Sequence, residues 1–231
     1  MKCAVVTGAS AGIGLHTAQR FADEGYRVVN LSRRPCPVDA VDHIPCDLSA
    51  PDFLETVGAC LRTTLAGAEQ VVLIHNASRL VNDSAVHTPS ESLRTTLEIN
   101  LVAPNSLNGF AIPLMKPGSS ILYVGSTLAE KAVPNSFSYV LSKHALIGMM
   151  RATCQDLAGQ GIHTACICPG FTDTEMLRTH VPAEAMDAVR GMSAYNRLIE
   201  PDEIAETLFW ASRNPVVNGA VIHANLGQVE R

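Results

Sequence analysis

Charged and aromatic side chains are both scarce in this chain. Of its 231 residues only 17% are Asp, Glu, Lys or Arg, and 5% are aromatic, with a lone tryptophan. Basic residues are not in excess either: the formal net charge is −5, and the seventeen Lys and Arg are scattered. Nucleic-acid partners require a basic patch, so none is expected. No apolar stretch reaches the roughly 18 residues that span a bilayer. The apolar run after Met1-Lys2 is too short for a signal peptide. These absences lead to the expectation of a soluble, cytoplasmic protein with no nucleic-acid or membrane partner. The seven cysteines are an odd number and contain no Cys-x-x-Cys pair. They read as small buried hydrophobes in a reducing compartment, not as a disulfide framework. No cluster of His, Cys and carboxylates points to a metal. There is also no linker, repeat or low-complexity tract, so residues 1–231 read as one domain.

What is present is an alternation of short apolar runs and longer helical patterns. The runs are Cys3 to Thr7, Arg27 to Ser32, Val41 to Cys46, Val71 to His75, Ser120 to Ser126, His163 to Cys168 and Ala220 to Ala224. Several are Val- and Ile-rich without a period of two, as expected of strands buried on both faces. Helices are predicted over Gly12 to Glu24, Pro51 to Leu65, Ser90 to Gly109, Ser136 to Leu157 and Pro201 to Arg213. This alternation signals an α/β fold with a parallel sheet. One junction is too short for a helical crossover: eight residues, two of them proline, separate the second and third runs.

The first run leads directly into Thr7-Gly8-Ala9-Ser10-Ala11-Gly12-Ile13-Gly14, and a helix follows. Glycines there let the backbone approach a pyrophosphate, whose charge then sits at the positive end of the helix. Gly8, Ser10, Gly12, Ile13 and Gly14 are therefore candidate cofactor contacts. Further on, Tyr139 and Lys143 are four residues apart, which places them on one face of a helix. Taken alone, the same pair fits a half-buried tyrosine beside a snorkelling surface lysine.

With Gly-x-x-x-Gly-x-Gly at its start, the chain resembles the short-chain dehydrogenase/reductase family in its compact single-domain branch. The resemblance extends over essentially the whole length. It implies a Rossmann-type, doubly wound, seven-stranded parallel sheet with helices on both faces, and a nicotinamide dinucleotide as cofactor. Asp47 and Leu48, after the third run, match the family's adenine contact. Asn76-Ala77-Ser78 stands where the family has Asn-Ala-Gly, and Ser78 departs from it. Pro169-Gly170-Phe171-Thr172-Asp173-Thr174 is similar to the Pro-Gly segment that meets the carboxamide near Thr172 and the phosphates at Thr174. Ser126, thirteen residues before Tyr139, and Asn100 complete the family's catalytic set of Asn100, Ser126, Tyr139 and Lys143.

The end of the second run bears on which dinucleotide is used. An acidic residue there holds the ribose hydroxyl of NAD, whereas an arginine suits the 2′-phosphate of NADP. The sequence reads Asn30-Leu31-Ser32-Arg33-Arg34. A hydroxyl from Ser32 and a charged contact from Arg33 favour NADP(H) over NAD(H); an exposed, solvated loop reads the same way.

The chemistry explains the catalytic residue types. Hydride transfer to a ketone creates an alkoxide that must be protonated. A free phenol titrates near 10, too high for this exchange at neutral pH, and a nearby ammonium favours the phenolate. By resemblance Lys143 also holds the nicotinamide ribose, Ser126 orients the carbonyl, and Asn100 holds a water that reconnects Lys143 to solvent. The expected activity is NADP(H)-dependent interconversion of a carbonyl and an alcohol. A 3-oxoacyl-thioester reductase and a non-catalytic dinucleotide-sensing regulator are the alternatives. Residues 175–200, with Met176, Leu177, Met186, Val189 and Met192, resemble the family's substrate flap, and core packing explains those methionines equally well. His75, His144, His163 and His223 read as structural. The Tyr139 helix is apolar all the way round through Ala145 to Met150, which predicts a homodimer or homotetramer.

Overall fold

The computed structural model describes residues 1–228. Seven strands, β1 (Lys2–Thr7), β2 (Arg27–Ser32), β3 (Val41–Pro45), β4 (Gln70–His75), β5 (Ser120–Val124), β6 (His163–Pro169) and β7 (Ala220–Ala224), form one sheet in the order β3-β2-β1-β4-β5-β6-β7. Every pairing is parallel. The helices are α1 (Gly12–Asp23), α2 (Phe53–Leu65), α3 (Ser90–Leu97), α4 (Ala103–Ala111), α5 (Phe137–Asp156), α6 (Glu175–His180), α7 (Met186–Arg190) and α8 (Pro201–Arg213).

The lack of alternation in the strands is explained by helices on both faces. Cys3 and Val5 of β1 pack toward α2, α4 and α5, while Ala4 and Val6 pack toward α1 and α8. Between α1 and α8, Phe21 meets Tyr26 and Phe209 edge-on, each at 5.1 Å between ring centroids. Burying a ring of this size contributes about 2–3 kcal/mol.

Most element ends fall within two residues of the sequence expectation, as helix and strand termini do. Pro51 and Asp52 form a turn before α2, and the fifth strand stops at Val124, two residues short of Ser126. The expected continuous helix from Ser90 to Gly109 is broken. Between α3 and α4 lies a wide turn of π type over Glu98–Val102. Pro104 has no N–H to give to the Asn100 carbonyl, so the regular ladder fails at that residue.

The short link between β2 and β3 contains no helix. Returning along five-residue β3 covers about 16 Å, and eight extended residues reach about 26 Å. A loop therefore suffices, and its Cys36 and Val38 pack on the α1 face.

Candidate active site

In an open parallel sheet, ligands bind beyond the carboxyl ends of the strands where the strand order reverses. Here that point lies between β1 and β4. A cleft of about 910 Å³ opens there, lined by the segments following β1, β2, β4, β5 and β6. Every site residue expected from the sequence lines it except Gly14 and Asn100.

The β1–α1 turn shows why glycine is needed. Gly12 has φ +54°, a left-handed conformation that side chains resist. A Cβ on Gly14 would lie 2.3 Å from the Gly8 carbonyl oxygen and 2.4 Å from Asn76 Nδ2. Gly14 thus acts by close packing beneath the loop, not as a lining residue. Ala11 at the N-cap offers no side-chain acceptor, and no acidic residue occupies the first turn of α1. The N–H groups at the head of α1 therefore keep their positive potential for an incoming anion.

Two buried polar residues that sequence reasoning missed brace this loop. Thr7 Oγ1 accepts from the backbone N–H of Asn76 (2.9 Å) and of Ala77 (3.0 Å). Asn30 Oδ1 accepts from the Ala9 N–H at 3.0 Å. An asparagine inside an apolar strand was the available signal, because a buried amide must be hydrogen-bonded.

At one end of the cleft lie Ser32, Arg33, Asp47 and Leu48, joined by Arg34. Ser32 does not match the expected free donor, since its hydroxyl donates to the Arg34 carbonyl. Only its lone pairs remain available. Asp47 accepts from the Ser49 N–H (2.9 Å) and hydroxyl (2.7 Å). Those bonds, with a smaller contribution from Arg33, hold its carboxyl below the usual range.

At the other end, Ser126 follows β5 and its Oγ accepts from the Leu128 N–H at 3.1 Å. Tyr139 and Lys143 project from the first half of α5. Lys143 is only 3% exposed; its Nζ donates to the Val124 carbonyl at 2.8 Å and lies 5.3 Å from the Tyr139 ring centroid. Asn100 is buried behind this wall. Its Oδ1 accepts from the Arg79 N–H (2.8 Å), and its Nδ2 donates to the Arg79 carbonyl (3.1 Å) and Ser142 Oγ (2.9 Å). Ser142 Oγ in turn donates to the Tyr139 carbonyl at 2.8 Å. The Asn100 side chain is thus a brace between the β4 exit and α5.

The Pro-Gly segment closes the cleft. Pro169, Gly170 and Thr172 line it, and Thr172 Oγ1 donates to the Gly170 carbonyl at 3.1 Å. Thr174 Oγ1 caps α6, accepting from the Leu177 N–H at 3.3 Å. Leu80, Leu128, Val133, Phe171, Met176 and Met192 make a largely apolar wall between these groups.

The sequence pattern of a family described as enoyl-(acyl carrier protein) reductase matches residues 8–228. The chain belongs to the short-chain dehydrogenase/reductase family. Among this dehydrogenase/reductase's relatives, Protein FixR of Bradyrhizobium diazoefficiens is 30% identical over 98% of this chain and 86% of its own length. A putative ketoacyl reductase of Streptomyces coelicolor is 28% identical, covering 88% of this chain and 87% of the relative. The crystal structure of a short chain dehydrogenase family protein from Francisella tularensis superposes with a TM-score of 0.90 at 26% identity, covering 98% of both chains.

The histidines and cysteines of this dehydrogenase/reductase that were read as structural or buried match that expectation in part. His75 and His163 are buried, whereas His144 and His223 are exposed, the latter 3.0 Å from Glu130. Cys60 is exposed and Cys36 half-buried, while the other five cysteines are buried. Cys46 lines the cleft, and burial pushes its thiol up to about 11. Among the described residues no group of three His, Cys, Asp or Glu is placed to hold a metal, and no helix is long and apolar enough to cross a membrane.

Proposed function

We propose that this chain is an NADP(H)-dependent oxidoreductase that interconverts a carbonyl and an alcohol, with Tyr139 as the general acid/base. The observation that carries the reading is one cleft that joins the uncapped head of α1 to the Tyr139–Lys143 pair. Residues present fit the dinucleotide. The head of α1 takes the pyrophosphate, Asp47 and Leu48 the adenine, Arg33 and Arg34 the 2′-phosphate, and Asn76, Ala77, Lys143 and the 169–174 segment the nicotinamide half.

When bound, the dinucleotide supplies or accepts the hydride. Tyr139 moves the proton: its hydroxyl gives H⁺ to the carbonyl oxygen during reduction and recovers it during oxidation. The Lys143 ammonium stabilises negative charge developing on the phenolic oxygen, strongly so because it is itself desolvated. Ser126, whose oxygen is already tied to the Leu128 N–H, donates its own proton to the carbonyl oxygen and orients it. The apolar wall excludes water from this reaction. Reduction of a 3-oxoacyl thioester is a narrower reading, favoured by the similarity to the putative ketoacyl reductase.

A panel of aldehydes, ketones and acyl thioesters, followed by loss of NADPH absorbance, tests the activity. Tyr139→Phe should lose turnover by at least about 10³-fold while keeping NADPH affinity within about twofold, since only the proton donor is removed. A Tyr139→Phe enzyme that retains a tenth of the native rate would remove Tyr139 from the mechanism.

A further inference from the structure

Helix α6 lies across the cleft as a short strap. Its Met176, Leu177 and Thr179 line the cavity, and the methyl of its capping residue Thr174 lies 3.2 Å from where a Gly12 Cβ would stand. The strap is tied at both ends. Glu175 reaches Arg34, on the β2–β3 link, at 3.6 Å. At the far end, His180 spans to the segment after β4: its Nε2 is 3.1 Å from the Leu80 carbonyl oxygen, and its Nδ1 is 2.8 Å from the Met176 carbonyl oxygen.

Both of the ring's partners are carbonyl oxygens, which only accept. A neutral imidazole carries one N–H, so it satisfies one carbonyl and turns a lone pair on the other; only the imidazolium donates to both. The charged groups nearby are otherwise engaged. Arg79, beside Leu80, turns its guanidinium onto Ser92 and Thr96. On the strap, Arg178 pairs with Asp173 at 2.7 Å and Glu175 with Arg34, and Glu184 follows in the next turn. The ring's charge therefore bears on two neutral carbonyls that fix the strap to the opposite wall.

We infer that His180 is a proton-operated latch: its imidazolium holds α6 over the cleft, and loss of the proton frees the strap and speeds release of the bound dinucleotide. His180 is a positioning residue in this role, since nothing requires it to touch the reacting atoms. The inference rests on reading the cleft as a dinucleotide site. The same proton also governs the free protein, where the latch has a readout that needs no cofactor.

Two measurements test it, each at about pH 5.5 and about pH 8.0, the range over which imidazoles ordinarily change charge. The first is stopped-flow release of NADPH from the native protein and from His180→Gln, whose amide donates at every pH without titrating. Native release should quicken by about tenfold between the two pH values, as expected when a charge-assisted bond is lost. His180→Gln should follow only the titration of the cofactor's own phosphate, which both proteins share. The second is amide hydrogen exchange over residues 176–181 without cofactor, corrected for intrinsic rates. Exchange in the native strap should rise by a similar factor relative to the variant. Identical pH dependence of exchange in native and variant protein overturns the latch. A pH step in exchange without any NADPH or NADH binding leaves the latch standing and overturns the dinucleotide reading instead. NADPH release with the same pH dependence in both proteins, despite a step in exchange, overturns the claim that the latch governs release.

Discussion

His75 should make the protein sensitive to acid well above the range in which carboxylates titrate. Its ring is buried between the sheet and α4, with Nε2 2.8 Å from Asn108 Oδ1 and the ring tilted 4.9 Å from Tyr123. Asn108 Nδ2 donates to the Tyr123 hydroxyl, so Oδ1 accepts and Nε2 carries the proton. Nδ1 is buried with no hydrogen-bond partner among the described residues. Burial is the dominant cause that holds this imidazole down to about 4 from 6.5, against a smaller upward pull from Asn108. Above pH 6.5 the ring is neutral in both the folded and unfolded chain and costs nothing. As pH falls below 6.5, the unfolded chain binds a proton that the folded protein refuses, so stability declines until the folded ring titrates. From about pH 7.5 to about pH 5 this difference amounts to about 2 kcal/mol. His75→Gln retains a donor for Asn108 and removes the titration. Urea denaturation at a series of pH values should show the native protein losing about 2 kcal/mol more than His75→Gln over that interval. Parallel stability curves for the two proteins would refute the reasoning.

Two further outcomes follow from the cleft and the α5 surface. Ser32→Asp places a carboxylate beside Arg33 and Arg34 and should reverse a preference for NADPH over NADH; equal affinities for the two in the native protein, measured by fluorescence titration, would show that these arginines do not select the 2′-phosphate. On α5, Phe137 and Leu141 are 38% and 39% exposed, and a Cβ on the exposed Gly148 would meet only open space. Gly148→Glu should therefore spare the isolated fold but split an assembly packed on that face, because it buries an unpaired charge there. Light scattering that gives a native mass near 24.6 kDa would remove the contact.

The strands and the phosphate loop were legible because each is a local pattern with one physical cause. An apolar run without alternation has few homes other than a sheet covered on both faces, and a glycine turn between strand and helix has a steric reason at Gly12 and Gly14. The parts that were not legible depend on neighbours distant in sequence. Nothing near Asn100 reveals that its amide is committed to Arg79 and Ser142. The α3–α4 break did have a local signal, Pro104, whose missing N–H was visible but was outweighed by the helical pattern around it.

Helix α5 shows most clearly why hydropathy alone misleads at a site. Its sequence reads as apolar all round only over Ala145 to Met150; toward the N-terminus its buried residues are Ser138, Tyr139, Ser142 and Lys143, while Phe137 and Leu141 are more exposed. Burying a lysine is costly unless its charge is partnered, and here Lys143 donates to a carbonyl oxygen and lies over the face of Tyr139. Stability alone would put apolar side chains at these buried positions and leave a lysine in water. Farther along, Leu146, Ile147 and Met150 bury as the pattern predicts. The helix thus obeys the hydrophobic rule in its second half and breaks it only where it borders the cleft. The second half fixes the rotation of the whole helix, and that rotation holds Tyr139 and Lys143 against the cleft despite the cost. A local rule broken within a consistent fold marks a functional residue better than the Tyr-x-x-x-Lys spacing does.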